Sequence, residues 1–231
     1  MILRRTLLAA MALSAAIVTG CSSSDGDGGG GASLPDAGAL LKDSAQAAGG
    51  VTSTHFTLKV NGTVPGLSVH SLDGDLTKAN GGGAKGTGTL ELMGQVVDAQ
   101  FVLVNGSLYI KGPTGGFQQI PAMLSSSIYD PSAILDPQRG IPKVLSSVQN
   151  PKTEGKEDVD GTPTYRVTGT VPKDALAALV PGASSDANAT FWLRQDGGHL
   201  PVKASLGYQG GASVDVTLSD VDKPVTVTAP A

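Results

Sequence analysis

The sequence predicts an α+β fold: one strongly curved antiparallel β-sheet of about ten strands, with a few amphipathic helices packed on it. Three observations predict it. Strand-length segments alternate apolar and polar residues, as Phe56, Leu58 and Val60 do with His55, Thr57 and Lys59. Those segments are divided by turn signals, Asn105-Gly106, Asp160-Gly161, Asp196-Gly197 and Gly210-Gly211. Between two such runs stands a helical stripe, Ile141, Val144, Leu145 and Val148, at i, i+3, i+4 and i+7. Glycine supplies 32 of 231 residues, and a wide sheet so rich in glycine should curl.

The elements follow in order. Leu34 to Ala48 reads as a helix with Leu40, Leu41, Ser44 and Ala48 on one side, Pro35 in its first turn and Gly49-Gly50 at its end. The next strands are the one around Phe56, then Leu67–Thr77, Thr89–Met93, Val96–Val104 and Leu108–Lys111. Residues 78 to 88, with Gly81-Gly82-Gly83, read as a loop. Asp130-Pro131 suggests an N-cap and first-turn proline for a short helix through Leu135. Asn150-Pro151 ends the Ile141 helix, and strands Lys152–Val159 and Thr162–Val171 flank a tight turn. Pro172 to Val180 is a short helix. Strands Ala189–Gln195, Leu200–Tyr208 and Ser213–Ser219 follow, with Val225–Thr228 as a terminal edge strand. Val60–Pro65 echoes Val167–Pro172 in five of six places, which fits either two related halves or a chance likeness of two strand-to-turn junctions.

The first 33 residues are of another kind. Arg4 and Arg5 precede an apolar run, Leu7 to Val18, which ends Val18-Thr19-Gly20-Cys21. A basic head, a short apolar middle and small residues at the end make a secretory signal. The run is shorter than the roughly 20 residues a spanning helix needs. Its last four residues resemble the bacterial lipobox. That resemblance implies cleavage after residue 20 and a diacylglycerol on the Cys21 sulfur, a thiolate being a good nucleophile. Two or three acyl chains anchor a protein stably where one is marginal. The expected domains are thus a cleaved signal at 1–20, a lipidated cysteine and flexible Gly/Ser linker at 21–33, and one folded domain at 34–231. The linker spans roughly 20 Å.

Charge and cysteine count exclude several functions. Cleavage would remove Arg4 and Arg5 but no acid, leaving 14 basic and 20 acidic side chains, a net charge of −6. Nucleic acid is therefore not an expected partner. With Cys21 lipidated no disulfide can form, and no thiol remains for zinc or catalysis. Aromatic residues are only 4%, which argues against sugar stacking. His55, His70 and His199 are scattered, and Gly66-Leu67-Ser68-Val69-His70 lacks the second glycine of a nucleophile elbow. Asp73 and Asp75, and Glu154, Glu157 and Asp158, read as solvated strand edges. Gly26, Gly28 and Gly31, like Gly81, Gly83 and Gly86, match G-x-G-x-x-G outside any strand-to-helix junction, so neither is a nucleotide loop. No enzyme, metal or cofactor is expected.

Helices lying on the concave side of the sheet would leave apolar space between the layers. The candidate lining is Phe56, Leu58, Val60, Leu90, Leu92, Phe101, Leu103 and Ile110, facing Ile134, Ile141, Val144 and Leu145. The same residues would serve equally well as a solid core.

Several short pieces then carry a family resemblance. They are the lipobox, Leu34-Pro35-Asp36-Ala37, Val60-Asn61-Gly62 with Pro65-Gly66-Leu67-Ser68, and Gly74-Asp75-Leu76-Thr77. Asp98-Ala99 with Phe101-Val102, and Gly106 with Leu108-Tyr109, continue the pattern. The most specific is Ile128-Tyr129-Asp130-Pro131 with Leu135, Pro137, Gly140 and Val144-Leu145. Together they resemble the actinobacterial LppX/LprA/LprF/LprG lipoproteins, the LprG type most closely. The resemblance is weakest at 81–88, a segment that would border a cavity mouth, and at Pro181–Asn188. It implies a half-barrel around a large hydrophobic cavity, held at the outer face of the cell membrane. It implies binding of multi-acylated lipids: triacylglycerol, phosphatidylinositol mannosides and lipoarabinomannan-type lipoglycans. A major-facilitator transporter is the implied partner.

Overall fold

The computed structural model describes residues 33–92, 94–120, 131–180 and 183–230, without the side chains of Leu92, Pro131 and Ser132. The signal, Cys21, most of the linker, and the Ile128-Tyr129-Asp130 motif with its N-cap lie outside the described residues.

Eleven strands among the described residues form one antiparallel sheet, curved and not closed. They are β1 (Ser53–Asn61), β2 (Val69–Thr77), β3 (Gly83–Leu92), β4 (Gln95–Val104), β5 (Ser107–Lys111), β6 (Gln118–Ile120), β7 (Gln149–Val159), β8 (Thr162–Val171), β9 (Ala187–Arg194), β10 (Pro201–Gly207) and β11 (Ser213–Ser219). Their order is β6-β5-β4-β3-β2-β1-β11-β10-β9-β8-β7. The chain walks outward from the centre to one edge, crosses to the opposite edge, and walks back. Its first and last strands meet in the middle, where Phe56 faces Leu218, Leu58 faces Val216 and Val60 faces Val214. Side chains that alternate in sequence thereby join into one apolar face, because directly opposed residues point the same way.

The crossing from β6 to β7 brings helical segments over that face. A 3₁₀ turn, Pro131–Leu135, rests on β2 and β3. Two helices meet next: α1 (Ala37–Gly50) packs against α2 (Ile141–Ser146) and against β7. A third, α3 (Lys173–Leu176), touches α2. The Asp36 carboxylate accepts the Ala39 N–H at 2.8 Å, which sets the start of α1 three residues later than the sequence suggested. Leu40, Leu41, Ala45 and Ala48 are buried beneath it.

Several expectations are corrected. The stretch read as a loop at 78–88 becomes strand from Gly83 onward. Gly86 pairs with Gly74, and a Cβ at Gly86 would overlap the Asp73 carbonyl and the Gly74 Cα. Only glycine permits this close backbone approach, so the residues that look like a breaker let the sheet bend. Asn150-Pro151 does not terminate a helix. α2 ends at Ser146, and Pro151 sits in β7, an edge strand that tolerates a missing N–H. Val225–Thr228 forms no strand, though the Thr226 carbonyl accepts from Lys85 Nζ at 3.0 Å. The echo of Val60–Pro65 in Val167–Pro172 marks no equivalence: Gly62 turns the chain after β1 at φ 74°, while Gly169 lies within β8. Strand β6 was not foreseen. The segment read as a helix from Pro172 to Val180 is α-helical only over α3.

Candidate functional site

The space between sheet and helices is apolar. A pocket there is walled by Leu58 of β1, Phe191 of β9, Pro201, Ala204 and Leu206 of β10, and Val214, Val216 and Leu218 of β11. Ile134 and Ile141 with Val144 close it from the crossing segment, and Leu179 and Val180 close it beyond α3. Lys203 also reaches the wall, but its ammonium lies 4.8 Å from the Trp192 ring centroid. Trp192 alternates with the pocket-facing Phe191, so that charge is held on the other face of the sheet.

The cavity volume is about 50 Å³, and about 610 Å³ of atom-free space once the side open to solvent is included. An apolar cavity that binds benzene is about 150 Å³. The enclosed space therefore holds no acyl chain unless the layers part. Energetics explain the closure. Empty apolar volume costs about 24 cal/mol per Å³, so 50 Å³ costs about 1 kcal/mol, while a dry void of 610 Å³ would cost about 15 kcal/mol. The larger figure reaches the whole stability of an ordinary domain.

The crossing segment is joined to the sheet by apolar contact alone among the described residues. The side-chain hydrogen bonds of residues 133–148 stay inside the segment: Gln138 N–H and the Arg139 guanidinium donate to Asp136, and Ser146 and Ser147 donate to the carbonyls of Pro142 and Lys143. Burial pushes the Asp136 carboxyl up, but these donors and the Arg139 charge outweigh it, and its pKa lies below the ordinary value. A self-bonded segment held down by non-directional contacts can shift as a body.

Polar groups elsewhere are arranged in structural pairs. His55 Nδ1 sits 3.0 Å from Asp75 Oδ1, and its Nε2 is 3.8 Å from Asp73. His199 Nδ1 meets the Arg194 carbonyl at 2.8 Å. Hydrogen bonding from Lys152 holds the Glu154 carboxyl below its usual range, and Glu157 faces Arg166 at 3.5 Å. Asp158 accepts the Gly161 N–H within the β7–β8 turn. No group of three or more His, Cys, Asp or Glu among the described residues is placed to hold a metal ion. No described helix is long and apolar enough to cross a membrane.

Comparison with known proteins places this architecture. Residues 36–227 match the LppX_LprAFG lipoprotein family. The chain belongs to that family. The lipoarabinomannan carrier protein LprG of Mycolicibacterium smegmatis is 40% identical over 230 residues, covering 98% of this chain and 96% of that one. LprG of Mycobacterium tuberculosis is 36% identical, covering 98% and 95%. The crystal structure of LprF from Mycobacterium bovis superposes with TM-score 0.76 at 31% identity, over 87% of this chain and all of that one. That of LppX from Mycobacterium tuberculosis gives 0.64 at 32%, over 83% and 97%.

Within this lipoprotein fold the candidate residues divide. Leu58, Ile134, Ile141 and Val144 stand in the pocket wall. Phe56, Leu90, Phe101, Ile110 and Leu145 are buried in the core, and Val60 and Leu103 pack against it half-buried. The Leu92 side chain lies outside the described ones. Phe191, Ala204, Leu206, Val214, Val216 and Leu218 were missed. Their alternation is visible in sequence, but only the pairing of β11 with β1, and of β10 and β9 beyond β11, puts them on the same wall as Leu58.

Proposed function

We propose that this protein is a membrane-tethered carrier that takes the acyl chains of lipids or lipoglycans between the concave face of its sheet and the crossing segment. The supporting observation is an almost purely hydrocarbon pocket under a segment that no described hydrogen bond ties to the sheet. A chain of about 16 carbons gains about 12 kcal/mol on leaving water, at about 0.8 kcal/mol per CH₂. That gain is large enough to part apolar layers that close when empty. A carrier of this kind needs no reactive group. The LprG relatives are called lipoarabinomannan carriers, and we extend to this chain an acylated cargo of that class: lipoglycans, phosphatidylinositol mannosides or triacylglycerol. Cys21 carries the anchor, the domain works on the outer face of the cell membrane, and a major-facilitator transporter is the partner that supplies or removes cargo.

The small enclosed volume favours a second reading, an envelope lipoprotein with a packed interior and no cargo. Native mass spectrometry of protein purified from its own membrane separates the two. A carrier arrives with non-covalent acylated lipid that organic solvent strips away. Protein of bare mass, with no lipid uptake from mixed micelles, would leave only the packed lipoprotein.

A further inference from the structure

Three side-chain polar atoms among the described residues are shut away from water with no hydrogen-bond partner: Ser44 Oγ, Trp192 Nε1 and Tyr208 Oη. Such a group costs the fold its desolvation penalty with nothing in return, so each needs a physical reason. Two stand clear of the acyl pocket. Ser44 lies on α1, which lends the pocket no residue. Trp192 alternates with Phe191 and takes the outer face of the sheet. Tyr208 is different. Ala204 and Leu206 of β10 wall the pocket, and Tyr208, two residues further along, takes the same face. Its side chain packs against the core. Its backbone is fixed to the sheet: the Tyr208 N–H donates to the Ala212 carbonyl at 2.8 Å and closes the β10–β11 turn.

The pocket follows β10 from Pro201 to Leu206, with the Tyr208 hydroxyl beyond its end. From Pro201 to Tyr208 the strand covers about 23 Å, at about 3.3 Å per residue. A long hydrocarbon chain lying along that line has its own first polar group near Tyr208. In an acylated lipid that group is the ester carbonyl, which accepts and cannot donate, and a phenol has one hydrogen bond to donate. Charge makes the same selection. Lys203 is the only charged residue among the described walls, and its ammonium lies over Trp192 on the outer face. A fatty-acid carboxylate would find no counter-charge there, whereas a neutral ester needs none. Burial pushes the Tyr208 pKa up to about 12, so the hydroxyl keeps the proton it would donate.

We propose that Tyr208 reads the linkage of the cargo: when the layers part, its hydroxyl donates to the ester carbonyl at which an acyl chain joins its headgroup. The inference rests on the carrier reading and gives it a specificity-determining residue. The closed protein holds a donor without an acceptor, and only an esterified lipid supplies one. Hydrocarbon burial selects for chain and is indifferent to linkage. This hydrogen bond is what separates an ester from an ether of the same length.

The test is a competition. Full-length protein is offered equal amounts of dipalmitoyl and di-O-hexadecyl phosphatidylglycerol in mixed micelles, and bound lipid is weighed by native mass spectrometry. The two share headgroup and chain length, and only the first carries carbonyls. Wild type should favour the ester about tenfold, which is about 1.4 kcal/mol and within reach of one hydrogen bond to a group otherwise left unpaired. Tyr208→Phe should load both equally, through a fall in the ester alone, with ether uptake at the wild-type level. Equal loading by wild type, an ester preference kept in Tyr208→Phe, or a parallel fall of both lipids in the variant would each overturn the role of Tyr208 and leave the carrier reading standing. No uptake of either lipid by either protein would instead overturn the carrier reading, and this inference with it.

Discussion

Ala204→Leu tests the pocket most directly. Ala204 stands in its wall on β10, half-buried, opposite Val216 of β11. Leucine adds three carbons to a space of about 50 Å³. Their burial is worth about 2 kcal/mol, at about 0.8 kcal/mol per carbon. Overpacking returns about 1–3 kcal/mol of cost. The unloaded fold should therefore stay within about 1 kcal/mol of wild type, a change of about 2–4 °C in Tm. Loading should suffer far more, because the leucine occupies the place where an acyl chain must begin. Bound lipid measured by native mass spectrometry should fall at least tenfold. Phe101→Trp, in the core of the other half, provides the contrast and should leave pocket loading intact. A folded Ala204→Leu protein with wild-type lipid occupancy would refute the pocket as the acyl site. Loss of lipid only in Phe101→Trp would move the site toward β3 to β5.

Other perturbations probe the frame. Gly86→Ala should cost about 1–3 kcal/mol in urea denaturation, because its Cβ meets backbone of β2 that cannot give way. Asp36→Ala should cost about 1 kcal/mol through loss of the α1 cap, with Asp36→Asn recovering most of it in the same assay. The Tyr208 hydroxyl is buried with no partner among the described residues, and burial pushes its pKa up to about 12. An acid raised from 10 stabilises the fold below pH 10 and loses that contribution as pH climbs toward 12. Tyr208→Phe should be neutral or stabilising by about 1 kcal/mol at pH 7, with a shallower decline in stability from pH 10 to 12. Hydrogen bonds from the Thr52 backbone and hydroxyl hold Asp222 below the ordinary carboxylate range. Its contribution is complete above the ordinary carboxylate pKa and fades as pH falls through the lowered value. Asp222→Asn should flatten the acid limb of the denaturation profile.

Turn chemistry and side-chain alternation made much of this architecture legible in advance. Asn105-Gly106 and Asp160-Gly161 adopt positive φ at both positions and close the β4–β5 and β7–β8 hairpins at the expected residues. The Ile141 stripe became a helix for the same local reason. Two features were hidden. Strand β3 begins in a glycine run that reads as a loop, because its stability comes from ladders on both flanks rather than from its side chains. The candidate wall runs from β1 over β3 to β5 rather than over β9 to β11, since alternation tells which face a residue takes but not which region of that face lies beneath a helix. That region is set by the pairing of β1 with β11, strands separated by some 150 residues, which no local period reports.

The same topology explains why a closed pocket and a loading function are compatible. Both sheet edges belong to the crossing: β6 feeds it and β7 receives it. The segment is thus fixed at its two ends by strands and held between them by side chains such as Ile134, Ile141 and Val144, with its hydrogen bonds turned inward. Parting it from β9 to β11 breaks no described hydrogen bond, and exposes apolar surface that an entering acyl chain covers again. The cost of an empty open state falls on the protein without cargo, which closes. The gain from burying hydrocarbon falls to the protein with cargo, which opens. If the proposed carrier function holds, acyl lipid is both what the pocket binds and what holds the pocket apart, so occupancy and opening should rise together in any titration that follows both.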